Sequence, residues 1–436
     1  MRGPRTLSAA IVLVAGVAVT GCQASGSEEV TLTFLNPHAG AYEPVAEAFE
    51  QAHPGVSIEL QSVPFEQMVE QTQARLSSGD TSIDIVSVDP PRLANMVQQG
   101  FLTEETDHLP EMEANVSQAA ISSVTVDDRQ WAYPLWTSDN FLFYNRTLLE
   151  EAGLPVPGPT SADRLTWEEV VDMSRSLVDA GDAQYGIGMD QVDRYYALQP
   201  LLESMGAGPG LEGPDGLTPA VDTEEWERFG QWYGGLYADG LAPRGVDPAQ
   251  MVDLFRAGHS AFLLGGASAI GRIADGDFPG EWGIAPHPYF ADGPIVTPTD
   301  SWAIGVSATS EHQEIARDFV QFATLDPQGA QLASSVNTLP PVQHEAFDEY
   351  VGYIQELAPE QTAHFGELFQ EDTEHYARHR PTSAGYVQFE SEMNNAFSDI
   401  RNGADPRRVL GSAQEALERQ LDRLRELAAE AEGNER

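Results

Sequence analysis

Residues 30–63 read VTLTFLNPHAGAYEPVAEAFEQAHPGVSIELQSV, and the spacing of their apolar side chains changes twice. Val30 to Leu35 is a run typical of a β-strand, and Val56 to Val63 is a second such run. Between the two runs, Tyr42 to His53 has apolar residues at helical spacing. The stretch therefore predicts a strand, a helix and a strand, in that order.

The same alternation continues to residue 100. Met68 to Leu76 is predicted as a helix, and Ile83 to Val88 as a strand that is buried on both faces. Leu93 to Gln99 is predicted as a further helix, which Gly100 ends. Strands and helices that alternate at this spacing indicate an α/β fold with parallel strands.

Later segments carry two patterns that mark the start of a helix: the capping box, and an aspartate followed by proline. Thr166 with Glu169, and Ser310 with Gln313, each fit a capping box, in which the two side chains satisfy free backbone N–H groups. Ser301 to Val306 is predicted as a strand. From Asp405-Pro406 a long helix is predicted, since its apolar residues fall three or four apart: Leu410, Ala413, Leu417, Leu421 and Leu424.

The N-terminus has the organisation of an export signal. Arg2 and Arg5 precede an apolar stretch, Leu7 to Val19, which is too short for an ordinary membrane-spanning helix. Residues 1–21 are therefore predicted to be a signal peptide. The run Val19-Thr-Gly-Cys22 resembles the bacterial lipobox, and Cys22 is the only cysteine of the chain. We expect lipidation of Cys22, with residues 22–29 as a tether; a chance cysteine is the alternative.

The charge of the chain limits its partners. It has 23 basic residues, all arginine, against 68 acidic ones, for a formal net charge of -45. Such a surface repels phosphate backbones and anionic lipids, so nucleic acid is not an expected partner. Attachment to a membrane would therefore come from acyl chains. The acidic residues are spread along the chain, which suits a solvated surface or adaptation to a saline habitat.

Several blocks in order along the chain carry a family resemblance. They are Ala48-Phe-Glu-Gln-Ala-His-Pro-Gly-Val56, Ser78-Gly-Asp80 to Asp89, Trp131-Ala-Tyr-Pro134 to Tyr144-Asn145-Arg146, Phe255-Arg-Ala-Gly-His-Ser-Ala-Phe262, Leu339-Pro340-Pro341, and Arg380-Pro381 with Tyr386. Together they resemble the extracellular solute-binding lipoproteins of bacterial ABC importers, in the carbohydrate-binding, maltose-binding-protein-like branch.

The resemblance implies an α/β fold of the periplasmic-binding-protein type (class II), with two lobes joined by hinge strands. It implies that residues 30–138 and 302–338 form lobe 1, and residues 139–301 and 339–436 form lobe 2. The chain would cross between lobes near Thr137–Asn140, Asp300–Trp302 and Leu339–Pro341. A cleft of this kind suits a small ligand, because both walls contact it and closure excludes water.

The resemblance also implies a function. The chain would be a monomer on the outer face of the cytoplasmic membrane, held there by the lipid on Cys22. It would bind a di- or oligosaccharide and deliver it to the transmembrane subunits of a permease. No catalysis, cofactor or metal is expected.

Sugar sites combine carboxylates or amides, which bind hydroxyls, with aromatic planes that face C–H groups. Asp89 directly follows a predicted buried strand, at the end where α/β proteins bind ligands; an N-cap is the alternative. Asp139 and Asn140 lie in the first crossing, where a hinge turn is equally suitable. Trp302 lies in the second crossing and Trp136 near the first. Both suit stacking on a sugar; the alternative for Trp302 is core packing, and the alternative for Trp136 is packing between the lobes.

Four further residues are weaker candidates. Glu66 follows the second strand, where a surface helix start is the alternative. Gly266 would let a backbone N–H group approach a ligand, or simply form a tight turn. Arg380 offers a fork for two hydroxyls, against a surface ion pair. His38 follows the first strand.

Other classes of function stay open at this point. A hydrolase would draw its acid/base pair from Glu66, Asp89 and Asp139. A binding protein for a metal, peptide or polyamine, or a structural surface protein, would use the same export signal. Adjacent Tyr195 and Tyr196 match the tyrosine pair of ferric-ion-binding relatives, although core packing explains them as well.

Overall fold

The structure is a computed structural model that describes residues 29–434 except 39, 247, 300, 337 and 338. The side chains of residues 65, 66, 248, 249 and 428–434 are outside the description as well. The predicted signal peptide, the lipidation of Cys22 and all but the last residue of the tether therefore lie outside the described residues.

The described chain alternates strands and helices. Its strands are β1 Val30–Asn36, β2 Val56–Ser62, β3 Ile85–Val88, β4 Thr125–Val126, β5 Arg129–Gln130, β6 Tyr133–Pro134, β7 Asn140–Asn145, β8 Tyr185–Met189, β9 Leu211–Glu212, β10 Thr218–Pro219, β11 Ser260–Gly266, β12 Trp282–Ala285, β13 Thr297–Pro298, β14 Ala303–Val306 and β15 Ala377–Arg378. Its α-helices are α1 Glu43–Ala52, α2 Phe65–Ser77, α3 Leu93–Gln98, α4 Leu109–Asn115, α5 Gln118–Ser123, α6 Arg146–Glu151, α7 Trp167–Ala180, α8 Tyr195–Ser204, α9 Glu224–Ala238, α10 Pro248–Arg256, α11 Ser268–Ala274, α12 Gln313–Leu325, α13 Pro327–Ser334, α14 His344–Leu357, α15 Phe365–His375, α16 Tyr386–Arg401 and α17 Pro406–Asn434.

The first large sheet has the strand order β2-β1-β3-β14-β6. Strands β1, β2 and β3 are parallel, as the alternating pattern predicts, whereas β14 is antiparallel to β3 and β6 is antiparallel to β14. One apolar cluster packs on each face of this sheet. Strands β1, β2, β3 and β6 come from residues 30–134 and β14 from residues 303–306, so the chain leaves this lobe once and returns to it.

The second large sheet has the order β12-β7-β11-β8. Strand β11 is parallel to β8 and antiparallel to β7, and β12 is antiparallel to β7. One face packs against α14 and α15, and the other against a large apolar cluster that includes α9, α16 and α17. The long C-terminal helix is confirmed: Leu410, Ala413, Leu417 and Leu421 are buried in that cluster.

The segments that join the two sheets run side by side. The N–H groups of Leu135 and Trp136 both donate to the carbonyl of Trp302, each at 3.0 Å. The N–H of Thr137 donates to the carbonyl of Pro340 at 2.9 Å. These bonds tie the described parts of the three predicted crossings into one hinge. The two-lobed α/β fold is therefore confirmed, while the residue at which each lobe begins stays a prediction.

The two predicted capping boxes have different outcomes. At the start of α7, the Thr166 hydroxyl accepts from the N–H of Glu169, whose carboxylate accepts from the N–H of Thr166. The box at Ser310 is wrong: α12 begins at Gln313 after an N-cap, His312, whose side chain makes no capping bond. The Ser310 hydroxyl instead donates to Oδ1 of Asp84 at 2.5 Å, a contact between residues far apart in the chain. The predicted strand there also begins later, at Ala303.

Candidate functional site

The gap between the two sheets is bordered by strand ends. In lobe 1 these are the carboxyl ends of β1 and β3 with the start of β14, because Ala303 pairs with Val88. In lobe 2 they are the start of β7 with the carboxyl ends of β11 and β8, because Asn140 pairs with Gly266. Side chains that follow these strand ends face the gap, as in other α/β ligand sites.

Asp89 and Arg380 meet across this gap. Nη2 of Arg380 donates to Oδ1 of Asp89 at 2.7 Å, and Nη1 lies 3.4 Å from Oδ2. Both side chains are buried, with exposed fractions of 6% and 5%. Arg92 also approaches Asp89, at 3.4 Å from its Nε to Oδ2. Asp89 stands at the N-cap position of the short 3-10 helix Pro90–Arg92, but its side chain makes no capping bond there. Arg380 is buried, so a surface ion pair is wrong for it.

A second set of contacts crosses the gap beside this pair. Nη2 of Arg92 lies 2.5 Å from Oε2 of Glu390, on α16. The hydroxyl of Tyr386 donates to Oε1 of the same carboxylate at 3.2 Å. Nδ2 of Asn95 donates to the carbonyl of Ala384 at 3.0 Å. The lobes are thus closed on their own polar groups in this conformation.

The space left at this point is small. A cavity of about 40 Å³ remains beside Asp89, Arg92, Trp302 and Val387. That volume holds about one water molecule, whereas small-molecule sites measure about 300–1,000 Å³. A ligand larger than water can therefore occupy this site only after Asp89 and Arg380 separate.

Aromatic rings flank the charged groups on the lobe 1 side. Trp302 is half-buried, and its ring lies edge-on to the His38 ring, with 4.7 Å between centroids. Burial lowers the pKa of His38 to about 4, so its imidazole is neutral at pH 7. Its Nε2 has no hydrogen-bond partner among the described residues. His38 and Trp302 thus supply a polar nitrogen and a partly open indole face.

On the lobe 2 side, Tyr196, which the sequence suggested only as half of a tyrosine pair, and Asp190, which sequence reasoning missed, complete the site. The Arg380 guanidinium lies 5.1 Å above the ring of Tyr196, whose hydroxyl hydrogen-bonds with Ser138. Burial raises the pKa of Tyr196 to about 12, so the phenol is neutral. Asp190 directly follows β8, and its Oδ2 accepts from the N–H of Gly266 at 3.4 Å. Gly266 therefore donates its N–H to the protein itself in this conformation.

Asp190 should make the folded state less stable as pH rises, whereas most carboxylates make it more stable. Burial raises its pKa from 3.8 to about 6, although the Gly266 N–H and Arg272 favour the charged form. The folded state therefore loses stability as pH rises from about 4 through 6, because the unfolded chain releases this proton at lower pH. Asp190→Asn should match wild type near pH 3.5 and gain on the order of 2 kcal/mol above pH 6.5. Urea unfolding at several pH values measures this.

The control for that experiment is Asp182→Asn, which changes an exposed aspartate of the same lobe. Its stability relative to wild type should not vary over the same pH range. A constant difference between Asp190→Asn and wild type at all pH values would contradict the role of Asp190.

Asp139 and Asn140 occupy a different environment from Asp89. The Asp139 carboxyl is buried beside Asp372 and Arg164 within lobe 2, and burial with Asp372 raises its pKa well above the usual value. Its Oδ1 accepts from the N–H of Asn140, the first residue of β7, at 2.7 Å. Asn140 is buried next to Gly266, and its Nδ2 has no partner among the described residues.

Of the two remaining candidates, Trp136 packs away from Asp89, and the side chain of Glu66 is not described. Trp136 is buried against lobe 1: its ring stacks on Tyr42 at 5.5 Å, and its Nε1 donates to Ser334 at 3.1 Å. These contacts lie within lobe 1, as does its contact with His38, so they are core packing and not the packing between lobes that was the alternative for Trp136. Glu66 lies in the first turn of α2, directly after β2, and its side chain is outside the described residues.

The structure therefore brings Asp89, Arg380, Trp302 and His38 together, with Gly266 on the facing wall. Tyr386 was noted only as part of a motif, and Glu390 and Arg92 were not noted. Asp190 had a usable signal, since it follows a strand as Asp89 does. Tyr195 and Tyr196 separate: Tyr195 is in the core, with its hydroxyl bonded to the carbonyl of Pro209.

Two features are absent from the described part of the chain. No group of three or more His, Cys, Asp or Glu residues there is arranged to hold a metal ion. None of its helices combines the length and the apolar character needed to cross a membrane.

Comparison with known proteins places this arrangement in a family. The family model described as bacterial extracellular solute-binding protein matches residues 36–330. The galactooligosaccharide-binding protein of Bacillus subtilis (strain 168) is 23% identical over 410 residues, which cover 91% of this chain and 90% of that protein. The arabinooligosaccharide-binding protein of Halalkalibacterium halodurans is 22% identical over 438 residues, covering 92% and 91%.

Solved structures agree on the fold. An ABC substrate-binding protein of Listeria monocytogenes in complex with cycloalternan superposes with a TM-score of 0.76 at 19% identity, over 91% of this chain and all (100%) of that one. The GacH receptor of Streptomyces glaucescens, studied unliganded and with acarbose, gives 0.74 at 21% identity, over 90% and 99%. Since the family model spans well over half of the sequence, this chain belongs to the bacterial extracellular solute-binding protein family.

Proposed function

We propose that the protein is the substrate-binding component of an ABC importer and that it captures a sugar, of di- or oligosaccharide size, between its lobes. The observation that carries the proposal is the cross-lobe cluster of Asp89, Arg380, Arg92 and Glu390 beside Trp302. Relatives that cover most of the chain are named for oligosaccharides, which supports this ligand class.

The chemistry of the cluster suits a polyol. A carboxylate accepts from two hydroxyls, and an arginine fork donates to two more, so Asp89 and Arg380 match vicinal hydroxyls as well as they match each other. Trp302 and Tyr196 offer aromatic surface to the C–H face of a sugar ring. A bound sugar would therefore replace the Asp89–Arg380 contact with contacts of its own to both residues.

This exchange couples ligand binding to lobe movement. Because the closed cavity is only about 40 Å³, the lobes open to admit a sugar and close again around it. The closed, loaded form is then the state that a permease recognises. We propose that the transmembrane subunits of the permease are the protein partner and that the binding protein is a monomer.

The cellular location follows from the N-terminus. We propose that Cys22 is lipidated after removal of residues 1–21 and that the chain is held on the outer face of the cytoplasmic membrane. The family is extracellular by description, in agreement with export. The net charge of -45 makes acyl chains the suitable anchor, because anionic lipid headgroups repel the protein.

Catalysis is not part of the proposal. The family and the named relatives are binding proteins. Asp89 and Glu390 each pair with an arginine inside the cluster, whereas a glycoside hydrolase places two carboxyls on either side of the scissile bond.

A thermal-shift panel of mono-, di- and trisaccharides tests the function. A sugar that binds the folded state should raise the melting temperature in proportion to the logarithm of its concentration, and chromatography should recover it unchanged. Amino acids, peptides and polyamines are the comparison set. If one of these stabilised the protein and no sugar did, the sugar class would be wrong; release of smaller sugars would indicate a hydrolase.

A further inference from the structure

A larger cavity lies on another side of the hinge. It measures about 410 Å³, within the range of small-molecule sites, and its floor is formed by Trp136, Thr137, Thr299 and Pro341 from all three crossings. Helix α5 of lobe 1 forms one wall, and α14 and α15 of lobe 2 form the other.

This cavity is separate from the Asp89 site. None of the residues that line it lines the small cavity at Asp89. The two spaces lie on either side of one segment: Arg380 bonds to Asp89, whereas the adjacent His379 lines the larger cavity and contacts the hydroxyl of Ser122 at 3.3 Å. Pairing of β15 with β13 holds that segment over the hinge.

The lining combines aromatic rings with uncompensated negative charge. Phe347 supplies a partly exposed ring beside the almost fully buried rings of Trp136 and Phe369, and Asp348 and Glu374 supply exposed carboxylates. Neither carboxylate has an ion-pair partner among the described residues, and the described lining contains no arginine. Since the whole chain carries a charge of -45, its field further concentrates cations near this cavity.

We propose that this cavity is a second binding site, which takes a small organic cation with an apolar body, such as a quaternary ammonium compound. Aromatic rings attract a weakly hydrated cation through their negative faces, and the carboxylates neutralise its charge. Because both lobes form the walls, an occupant contacts both lobes at once. The site goes beyond the proposed sugar function and does not depend on it.

Calorimetric titration with choline tests the proposal at constant ionic strength. The matched probe is 3,3-dimethyl-1-butanol, which has the shape of choline without its charge. We expect choline to bind with a dissociation constant on the order of 1 mM and the neutral probe to bind at least about tenfold more weakly. Absence of saturable choline binding by about 10 mM, or equal binding of the two probes, would overturn the proposal.

Variants locate the site. Asp348→Asn combined with Glu374→Gln should weaken choline binding about tenfold or more. The control combines Glu349→Gln with Glu371→Gln, which removes two exposed charges from the same helices outside the cavity lining, and it should bind as wild type does. Equal loss in both double variants would mean nonspecific attraction to the acidic surface and would refute the site.

Two further variants test whether choline occupies this cavity. Ala120→Phe, on α5, places a ring in the cavity and should block choline. Asp182→Asn changes an exposed residue of lobe 2 that lines neither cavity, and it should bind choline as wild type does. Retained choline binding in Ala120→Phe would place the cation elsewhere and contradict the proposal.

Discussion

Asp89→Asn is expected to weaken sugar binding about 100-fold, which corresponds to about 2.7 kcal/mol. The substitution keeps the shape of the side chain but removes the charge that Arg380 and Arg92 contact at 2.7 and 3.4 Å. A carboxylate that accepts from sugar hydroxyls forms charge-assisted hydrogen bonds, and an amide forms weaker ones and adds an unwanted donor. Calorimetric titration with the most stabilising sugar of the panel measures the loss.

The same experiment separates two roles for Asp89. If its only task were to hold the lobes closed against Arg380, removing that contact would make the site easier to open and sugar affinity would be unchanged or higher. A loss of affinity therefore identifies contact with the ligand. Asp107→Asn, at an exposed position of lobe 1, is the control and should bind as wild type does. Before the titration, unfolding curves should establish that Asp89→Asn is folded.

The helices and strands could be predicted from the sequence because the signals for them come from neighbouring residues. The spacing of apolar residues between residues 30 and 63 depends only on neighbours along the chain, and β1, α1 and β2 form as predicted. The prediction of a capping box at Ser310 was wrong because the partner of Ser310 is distant in the sequence. Its hydroxyl bonds to Asp84, which is brought there by the sheet and is invisible to a local pattern.

The site was predicted only in part for the same reason. The position of Asp89 after a buried strand is a local signal, whereas its partner Arg380 lies 291 residues away. Tyr195 and Tyr196 show that the sequence does not tell which side of a helix faces the site. Adjacent helical residues point about 100° apart, so Tyr195 enters the core and Tyr196 reaches Arg380. Sequence gives the pair but not the rotation of α8.

Asp139 illustrates how an extended segment divides its side chains. Successive residues of an extended chain point to opposite sides. Ser138 hydrogen-bonds with Tyr196 on the cleft side, and the Asp139 carboxyl is buried with Asp372 and Arg164. The sequence places both residues at the hinge but does not tell which one faces the ligand.

That buried cluster leads to the second large effect: Arg164→Met should lower the free energy of unfolding by about 3–5 kcal/mol at pH 7.5. Arg164 pairs with the fully buried Asp372 and donates to the carbonyl of His287 at 2.7 Å. Burial raises the pKa of the Asp139 carboxyl, and the positive charge of Arg164 limits that rise. Without it, two buried carboxylates face each other with no cation. Urea unfolding measures the loss.

The pH dependence of this deficit distinguishes lost charge from lost packing. Removing Arg164 raises the folded-state pKa of both carboxyls further above their unfolded value of 3.8, so the variant loses stability as pH rises and recovers below about pH 4. Arg164 also lowers the pKa of the buried His287, so its removal eases protonation there and narrows the deficit further in acid. Arg175→Met is the control, because the exposed Arg175–Asp239 pair contributes at most about 1 kcal/mol. A deficit that stayed constant from pH 4 to 7.5 would attribute the whole effect to packing.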